Sequence, residues 1–340
     1  MTIKINMLSK ADSVPAQGVG SAFLEQFGLV KELSDFEFVL NSPKKKDIDI
    51  NHIHSVNLRY RLRMNKKQPN IVSVHFVPKE NKGSVKLPKL ISLIFDKYVE
   101  RFYKNADELV VVNPCFITPL EDLGIPTERI TYIPNYVSKE HFYPLSKEKN
   151  LVTRKEYGLG VNDFVVLGCG QIQTRKGFDD FCNTAINNPD MKFVWSGGFS
   201  FGRITHGYHR YKKMMKNLPK NMICIGIVDR KKMNEIFNAS DCLFMPSLME
   251  LFPMSILEAC NAHKPILLRD IELYKPILFD KYCSASDIDS FSKELVRLKS
   301  DSDYYLESQK KSIYLSEFYS KDNLLKQWND YYLRIYQKYQ

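Results

Sequence analysis

Short apolar runs rich in β-branched residues alternate along the chain with longer segments that have the polar–apolar period of a helix. This alternation predicts parallel β-sheets whose strands are joined by flanking helices. In the first half of the chain, strands are predicted at 3–7, 36–40, 50–53, 71–76, 109–112 and 130–133. In the second half they are predicted at 164–167, 192–195, 222–225, 242–245 and 265–268.

The pattern is interrupted between 136 and 163, where the chain is polar and contains no good strand. A linker near 144–150 is therefore expected to join two doubly wound α/β domains. The predicted N-terminal domain is 1–145 and the predicted C-terminal domain is 146–317. The last segment of the chain, 316–340, has the pattern of a Tyr-rich amphipathic helix.

One strand end in the second half carries two carboxylates. The strand 242–245 runs into a loop, and Pro253 then opens a helix, because its missing N–H would be unpaired there in any case. The backbone N–H groups of 251–255 gather at the positive end of this helix, where phosphate is favoured. Glu250 and Glu258 bracket the helix start. Taken alone, they fit either a ligand site or acids that complement the helix dipole.

Two other strand ends carry glycine loops. Gly18-Val19-Gly20 follows the first strand and opens a helix, but it lacks the third glycine of a dinucleotide fingerprint. The segment 170–177 follows the strand 164–167 and places Arg175 and Lys176 beside glycine, which suits a diphosphate. A simple tight turn and a charged surface loop remain the alternatives.

Histidines are the next candidates. His75 ends a strand, where a neutral imidazole can bind a sugar hydroxyl or transfer a proton, or can simply be a structural residue. His52 and His54 alternate across another strand end, and no cysteine or carboxylate completes a ligand set, so no metal site is predicted.

The cysteines and the apolar runs indicate the compartment. The seven cysteines form no C-x-x-C pair, and their odd number argues against a disulfide framework, so they are expected to be reduced core residues. The N-terminus enters a strand directly, and no run is long enough to cross a bilayer, so no signal peptide or spanning helix is expected. These features predict a cytoplasmic protein.

The net charge of +10 indicates that the protein binds an anionic partner. The cations concentrate between 57 and 105, interleaved with apolar residues in a pattern that fits a basic amphipathic helix lying on an anionic bilayer. The alternative is that the apolar stripe packs on the sheet, which suits 94–103 better than 79–93. Nucleic acid is less favoured, since no helix-turn-helix, RNP or zinc pattern is present. The residues predicted to face a membrane or acceptor are Arg59, Arg63, Lys82, Lys86, Lys89, Leu90 and Ile94.

Together these features resemble the retaining glycosyltransferases of family 4, which have the GT-B fold of two Rossmann-like domains facing a central cleft. The resemblance covers nearly the whole chain, and the E-x7-E spacing from Glu250 to Glu258 is its most specific element. Its other carriers are Gly18-Val19-Gly20, His75, Asn113, Pro134-Asn135 and the segment from Gly170 to Lys176-Gly177.

The resemblance implies a UDP-sugar site that needs no divalent metal and no further cofactor. By this resemblance Glu258 holds the ribose hydroxyls, Glu250 contacts the transferred sugar, Lys176 neutralises the diphosphate, and His75 approaches the 6-hydroxyl of the sugar. Gln171 stands where the family usually has Arg, and Arg175 is a candidate replacement. The remaining donor-binding residues implied are Gly18, Val19 and Gly20 over the diphosphate, Leu251, Phe252, Pro253 and Met254 by their backbone, and Ile227 and Val228 near the uracil.

A narrower resemblance, in the segments 4–9, 198–202 and 267–274, is to bacterial glycolipid synthases that add a second hexose to monoglucosyl-diacylglycerol. It implies transfer of galactose or glucose to a glycolipid acceptor, by an enzyme attached peripherally to the inner face of the cell membrane. It also implies that the final helix, 318–340, crosses back onto the N-terminal domain. A soluble or polysaccharide-precursor acceptor, a nucleotide-sugar epimerase and a basic nucleic-acid-binding protein remain the alternatives.

Overall fold

The predicted strands form two separate six-stranded parallel sheets in the computed structural model. The structure describes residues 2–10, 18–43, 47–64, 67–78, 89–200, 202, 205 and 207–340, without the side chains of Lys89 and Leu90. Every predicted strand overlaps an observed strand. The described residues up to Tyr136, together with Tyr319–Gln340, make one compact unit, and Val137–Phe318 make the other.

The first unit has the strand order β2-β1-β3-β4-β5-β6. Its strands are β1 Ile3–Leu8, β2 Phe36–Leu40, β3 Ile50–Ile53, β4 Asn70–Val74, β5 Glu108–Val111 and β6 Ile130–Tyr132. Its helices are α1 Gly18–Val30, α2 Leu58–Arg61, α3 Lys89–Lys104, α4 Ile117–Asp122 and α13 Lys321–Lys338. Strands β3, β4 and β5 are buried along their whole length, as expected for central strands covered on both faces.

The second unit has the strand order β12-β11-β10-β7-β8-β9. Its strands are β7 Val165–Cys169, β8 Lys192–Ser196, β9 Met222–Gly226, β10 Cys242–Met245, β11 Ile266–Arg269 and β12 Cys283–Ala285. Its helices are α5 Lys147–Glu156, α6 Phe178–Asn187, α7 Tyr208–Met214, α8 Arg230–Ala239, α9 Met254–Asn261, α10 Lys275–Leu278, α11 Ile288–Ser300 and α12 Ser302–Phe318. Strand β12 was not predicted, because its sequence Cys-Ser-Ala contains no β-branched or aromatic residue, unlike the equally short β6, whose sequence is Ile-Thr-Tyr.

The division between the units lies earlier than the predicted boundary at residue 145. The backbone N–H groups of Tyr143 and Leu145 donate to the side-chain oxygens of Asn234 and Asn238 on α8, at 3.1 and 2.8 Å. These hydrogen bonds fasten the segment to the second unit. The segment expected to be a linker, 144–150, accordingly runs into helix α5 instead.

An aromatic cluster forms the core beneath β7. A Cβ on Gly168 would lie 2.5 Å from the Trp195 ring and 2.6 Å from the Phe181 ring, so only glycine fits between them. The Trp195 Nε1–H donates to the Gly170 carbonyl oxygen at 3.1 Å. The core therefore fixes the backbone at the carboxyl end of β7, where the predicted phosphate loop begins.

The C-terminal helix expected over 316–340 is α13, and only the first three residues of that range belong to the end of α12. Its predicted return to the N-terminal domain is confirmed, since Tyr319–Gln340 belongs to the first unit. The aromatic face of α13 packs into the first unit, where the rings of Trp328 and Tyr332 stack at 5.3 Å. The Tyr332 hydroxyl lies 2.8 Å from Nδ1 of His52. Burial of this face explains why the segment is rich in tyrosine.

Three histidines are packed together at the carboxyl ends of β3 and β4. The rings of His52 and His54 are 4.1 Å apart, and those of His54 and His75 are 6.2 Å apart. Burial lowers the pKa of His52 to about 3 and that of His75 to about 4, and it holds the pKa of His54 well below 6.5. The folded first unit therefore keeps all three imidazoles neutral.

We expect the first unit to lose stability as the pH falls below 6.5, because the unfolded chain takes up protons that the folded unit excludes. Each histidine costs about 2 kcal/mol between pH 7 and pH 5. Urea unfolding at the two pH values measures the loss. Between pH 7 and pH 5, His54→Phe should lose less stability than the unchanged chain. The control His209→Gln, at an exposed histidine, should lose as much stability as the unchanged chain. Equal losses in His54→Phe and the unchanged chain contradict the prediction.

Candidate functional site

Helix α9 starts at the carboxyl end of β10 after the loop 246–252. Pro253 is the residue before the first turn, with φ −71° and ψ 125°, and the helix itself begins at Met254, one position later than predicted. The first N–H groups of a helix have no partner within it, so they remain directed out of the α9 start. Phe252, Met254 and Ile256 are buried, which anchors this end of the helix in the unit.

Glu250 lies in the loop before α9 and is only 4% exposed. Its Oε1 is 2.5 Å from Nζ of Lys176, and its Oε2 is 3.6 Å from Nη1 of Arg175. Burial acts to raise the pKa of the Glu250 carboxyl, but the two cations outweigh it and leave that pKa below its usual value. Burial also lowers the pKa of Lys176. The structure thus brings three predicted site residues into one buried charge cluster.

The loops after β7 and β10 are held together by close backbone contacts. Gly177 has φ 67°, and a Cβ there would lie 2.1 Å from the carbonyl oxygen of Pro246, so another residue would force the loops apart. The Leu248 N–H donates to the Arg175 carbonyl oxygen at 2.8 Å. Because β7 and β10 are neighbours in the sheet, these contacts place Lys176 against Glu250.

Several polar atoms of the loop after β7 are buried and make no hydrogen bond. They are Oε1 of Gln171, both side-chain polar atoms of Gln173 and Nε of Arg175. Burying such groups without partners is costly, so they mark a place where a polar ligand can supply the missing hydrogen bonds. Gln173 was not predicted as a site residue, since nothing in the sequence pattern indicates that its side chain is buried.

Glu258 is the second carboxylate of the site and lies on α9, 7% exposed. Its Oε1 is 2.7 Å from Nη1 of Arg230. Burial raises the pKa of the Cys169 thiol at the end of β7; the Glu258 charge adds to this rise, and the Lys176 charge opposes it. Glu258 and Lys176 therefore both lie close enough to the carboxyl end of β7 to act electrostatically on the Cys169 thiol.

Two arginines that contact this region were not among the predicted site residues. Arg230 pairs with Glu258, and Arg269 on β11 donates from Nε to the Pro246 carbonyl oxygen at 3.0 Å. Both depend on contacts between distant segments of the chain, which a single sequence does not show. Arg175, the candidate replacement for a cation at position 171, donates to the Met249 carbonyl oxygen at 2.8 Å as well as facing Glu250.

Ile227 and Val228 follow β9, and the Ile227 side chain is exposed beside Gly198, whose added Cβ would lie 3.2 Å from it. Leu251 lies in the same loop as Glu250. Among the described residues, no group of three His, Cys, Asp or Glu side chains is placed to hold a metal ion.

The other predicted residues belong to the first unit. Gly18-Val19-Gly20 forms the first turn of α1, and a Cβ on Gly18 would meet no atom within 4 Å, so packing does not require glycine there. His75 follows β4, and its Nε2 makes no hydrogen bond. Lys82 and Lys86, and the side chains of Lys89 and Leu90, lie outside the described part of the structure.

Known protein families match both units. The model described as "Glycosyltransferase Family 4" matches residues 27–141, and "Glycosyl transferases group 1" matches residues 150–314. The chain is 39% identical over 333 residues to alpha-galactosylglucosyldiacylglycerol synthase of Streptococcus pneumoniae, covering 97% of this chain and 89% of that protein. It is 28% identical over 280 residues to processive diacylglycerol alpha-glucosyltransferase of Acholeplasma laidlawii, covering 82% of each.

Solved structures show the same fold at low sequence identity. Anabaena HepE in complex with UDP-glucose matches with a TM-score of 0.77 at 13% identity, over 98% of this chain and all of that one. Sucrose-phosphate synthase from Thermosynechococcus elongatus matches with a TM-score of 0.79 at 14% identity, over 99% of this chain and all of that one. The predicted GT-B fold is confirmed, and the chain belongs to the family 4 glycosyltransferases.

Proposed function

We propose that this glycosyltransferase moves a hexose, galactose or glucose, from a UDP-sugar to a membrane glycolipid of the monoglucosyl-diacylglycerol type. The observation that carries the donor half of the proposal is the buried cluster of Glu250, Lys176 and Arg175 beside the start of α9. The names of the Streptococcus and Acholeplasma relatives, both acting on diacylglycerol lipids, support the acceptor half.

The charge cluster suits a leaving diphosphate. As the bond between the anomeric carbon and the phosphate oxygen breaks, negative charge develops on the diphosphate, and a fixed cation together with a helix N-terminus stabilises it. In this proposal Lys176 turns from Glu250 to the diphosphate, and the Glu250 carboxylate then accepts hydrogen bonds from hydroxyls of the sugar. No divalent metal is needed for this arrangement.

The bond changes of the transfer balance without a further reactant. By analogy with the family, the acceptor hydroxyl attacks the anomeric carbon from the face that the diphosphate leaves. A new carbon–oxygen bond forms there, the bond to the phosphate breaks, and the hydroxyl proton passes to a phosphate oxygen. The anomeric configuration is retained, which gives an α-linked dihexosyl-diacylglycerol from an α-linked donor.

A surface of the first unit fits the lipid acceptor. Helix α3 is buried at Val99, Phe102 and Tyr103, but its first half exposes apolar side chains, with Ile94 62% exposed. Beside it, Leu62 at the end of α2 is 74% exposed, and the guanidinium of Arg61 lies 5.6 Å from the Tyr98 ring of α3. This membrane-facing surface consists of Leu58, Leu62, Ile91, Leu93, Ile94 and Phe95.

Cations border this surface, as an anionic bilayer would require. Arg59 and Lys97 are exposed, whereas Arg63 donates from Nη1 to the Ser42 carbonyl oxygen at 2.9 Å and is partly committed to the fold. The alternative, in which the apolar stripe of 94–103 packs on the sheet, holds only from Val99 onward, since Ile94 and Phe95 are exposed. None of the helices within the described residues is long and apolar enough to cross a membrane. We propose that this apolar surface and its bordering cations attach the enzyme peripherally to the inner face of the cell membrane.

The donor site is tested by two alanine substitutions. Glu258→Ala should weaken UDP binding about tenfold or more, because hydrogen bonds from the ribose to a charged group are lost. Glu250→Ala should leave UDP binding no weaker, since Lys176 is released for the diphosphate, but should lower turnover. Calorimetry with UDP and a rate assay measure these effects. Glu156→Ala, at an exposed carboxylate of the same unit, is the control; unchanged UDP affinity in Glu258→Ala contradicts the ribose assignment.

Membrane binding is tested by flotation with vesicles of phosphatidylglycerol and phosphatidylcholine. Ile94→Glu should reduce the bound fraction severalfold, because it places a negative charge in the apolar surface against an anionic bilayer. Leu306→Glu, at an exposed leucine of α12 in the other unit, should bind as the unchanged chain does. Binding that is absent from the start, or that survives Ile94→Glu in full, contradicts the proposal.

The substrate pair is tested directly by incubation with UDP-glucose or UDP-galactose against diacylglycerol and monoglucosyl-diacylglycerol. We expect a dihexosyl lipid from the glycosylated acceptor, with its mass and linkage identified by mass spectrometry. A free sugar or an oligosaccharide as the only active acceptor supports a soluble or polysaccharide-precursor acceptor instead. Conversion of the UDP-sugar without any acceptor supports an epimerase.

A further inference from the structure

Arg230 is held on two sides by the fold of the second unit. It is the first residue of α8, directly after Asp229, whose carboxylate accepts the Lys231 N–H at 2.8 Å and caps the helix. The Arg230 guanidinium lies 5.0 Å from the centroid of the Phe142 ring, and Phe142 is fully buried. Its Nη1 donates to Oε1 of Glu258 at 2.7 Å.

A buried carboxylate that must accept hydrogen bonds from two neighbouring hydroxyls needs a fixed orientation and a retained negative charge. Glutamate has three rotatable side-chain bonds, so holding it in one orientation has an entropic cost that a partner can offset. A guanidinium suits this role, because its planar donors set the direction of the contact and its charge does not titrate. Packing on Phe142 fixes the guanidinium itself.

We infer that Arg230 is a positioning residue that orients Glu258 toward the ribose, and that it thereby sets the selectivity of the site for a ribonucleotide over a deoxyribonucleotide donor. The inference rests on the proposed role of Glu258. Arg230 acts through the carboxylate, so its removal should weaken the binding of the ribose hydroxyls and leave the binding of the base and the diphosphate unchanged.

The surroundings of Arg230 allow it to be substituted without leaving a cavity in the core. It borders a groove of about 700 Å³ in the second unit, whose lining includes Tyr143, Leu145 and Val152. A shorter or uncharged side chain at position 230 therefore faces an open groove and leaves no sealed cavity. Methionine preserves much of the contact with Phe142 and removes only the guanidinium.

The test is calorimetric titration of the full chain with UDP and with 2′-deoxy-UDP. The unchanged chain should bind 2′-deoxy-UDP about tenfold more weakly than UDP, as expected for a lost hydrogen bond to a charged group. Arg230→Met should weaken UDP binding about tenfold more than it weakens 2′-deoxy-UDP binding, because UDP loses both ribose hydrogen bonds to Glu258 and 2′-deoxy-UDP loses only that of its 3′-hydroxyl. The preference for the ribonucleotide then largely disappears. Arg230→Lys, which keeps the charge without the planar fork, should retain part of the preference.

Lys232→Met is the matched control, since it removes an exposed ion pair with Glu156 from the same helix and should change neither affinity. Arg230→Met that keeps the full preference, or that weakens both nucleotides equally, overturns the inference. Glu258→Ala separates the two proposals: if it keeps the preference, the ribose assignment fails. If it abolishes the preference and Arg230→Met does not, the inference alone fails. Should Arg230→Met fold poorly, Arg230→Lys carries the same comparison.

Discussion

The close approach of the Gly177 backbone to the Pro246 carbonyl is the constraint on which the proposed donor site depends. It brings the loops of two neighbouring strands within reach of each other, so that a cation from one meets a carboxylate from the other. A side chain at position 177 would separate the loops, and Glu250 would then be buried without its partners. Burying an unpaired carboxylate is costly enough to unfold the loop or to protonate the group. The chemistry of the site thus begins with a contact between two backbones.

Lys176 and Glu250 neutralise each other before any donor arrives, and Arg175 leaves the cluster with one net positive charge. Lys176 and Glu250 satisfy each other at 2.5 Å, which lets both be buried without a large net charge. A UDP-sugar supplies a diphosphate to pair with Lys176 and hydroxyls to donate to Glu250. In the proposed mechanism these two contacts replace the ion pair between Lys176 and Glu250. A ligand that brought only a sugar would leave the lysine bound to its glutamate. This exchange favours an intact nucleotide-sugar over free hexose.

The sequence was sufficient for the architecture, and it singled out carboxylates and cations that the fold brings together in the second unit. Hydrophobic alternation located every predicted strand, and the E-x7-E spacing located Glu250 and Glu258. It did not predict β12, because Cys-Ser-Ala contains no β-branched or aromatic residue. It also extended the first domain too far, because the amide contacts to α8 depend on the tertiary fold. Arg230 and Gln173 were missed for the same reason, since an ion pair or a buried amide is visible only once distant segments meet. Ile94 was predicted to face a membrane or acceptor, and its side chain is exposed, whereas the alternative of packing on the sheet holds from Val99 onward.

The chain has two tryptophans, and the fold places one in each unit. The Trp195 indole donates to the Gly170 carbonyl at the start of the loop after β7, and Trp328 lies 5.6 Å from the His52 ring in the histidine cluster. Indole emission responds to hydrogen bonding and to unfolding. Each unit therefore contains its own optical probe, one next to the loop after β7 and one next to the histidines that the folded unit keeps neutral. Single-tryptophan versions of the chain would let the loop of one unit and the acid response of the other be followed separately, without an added label.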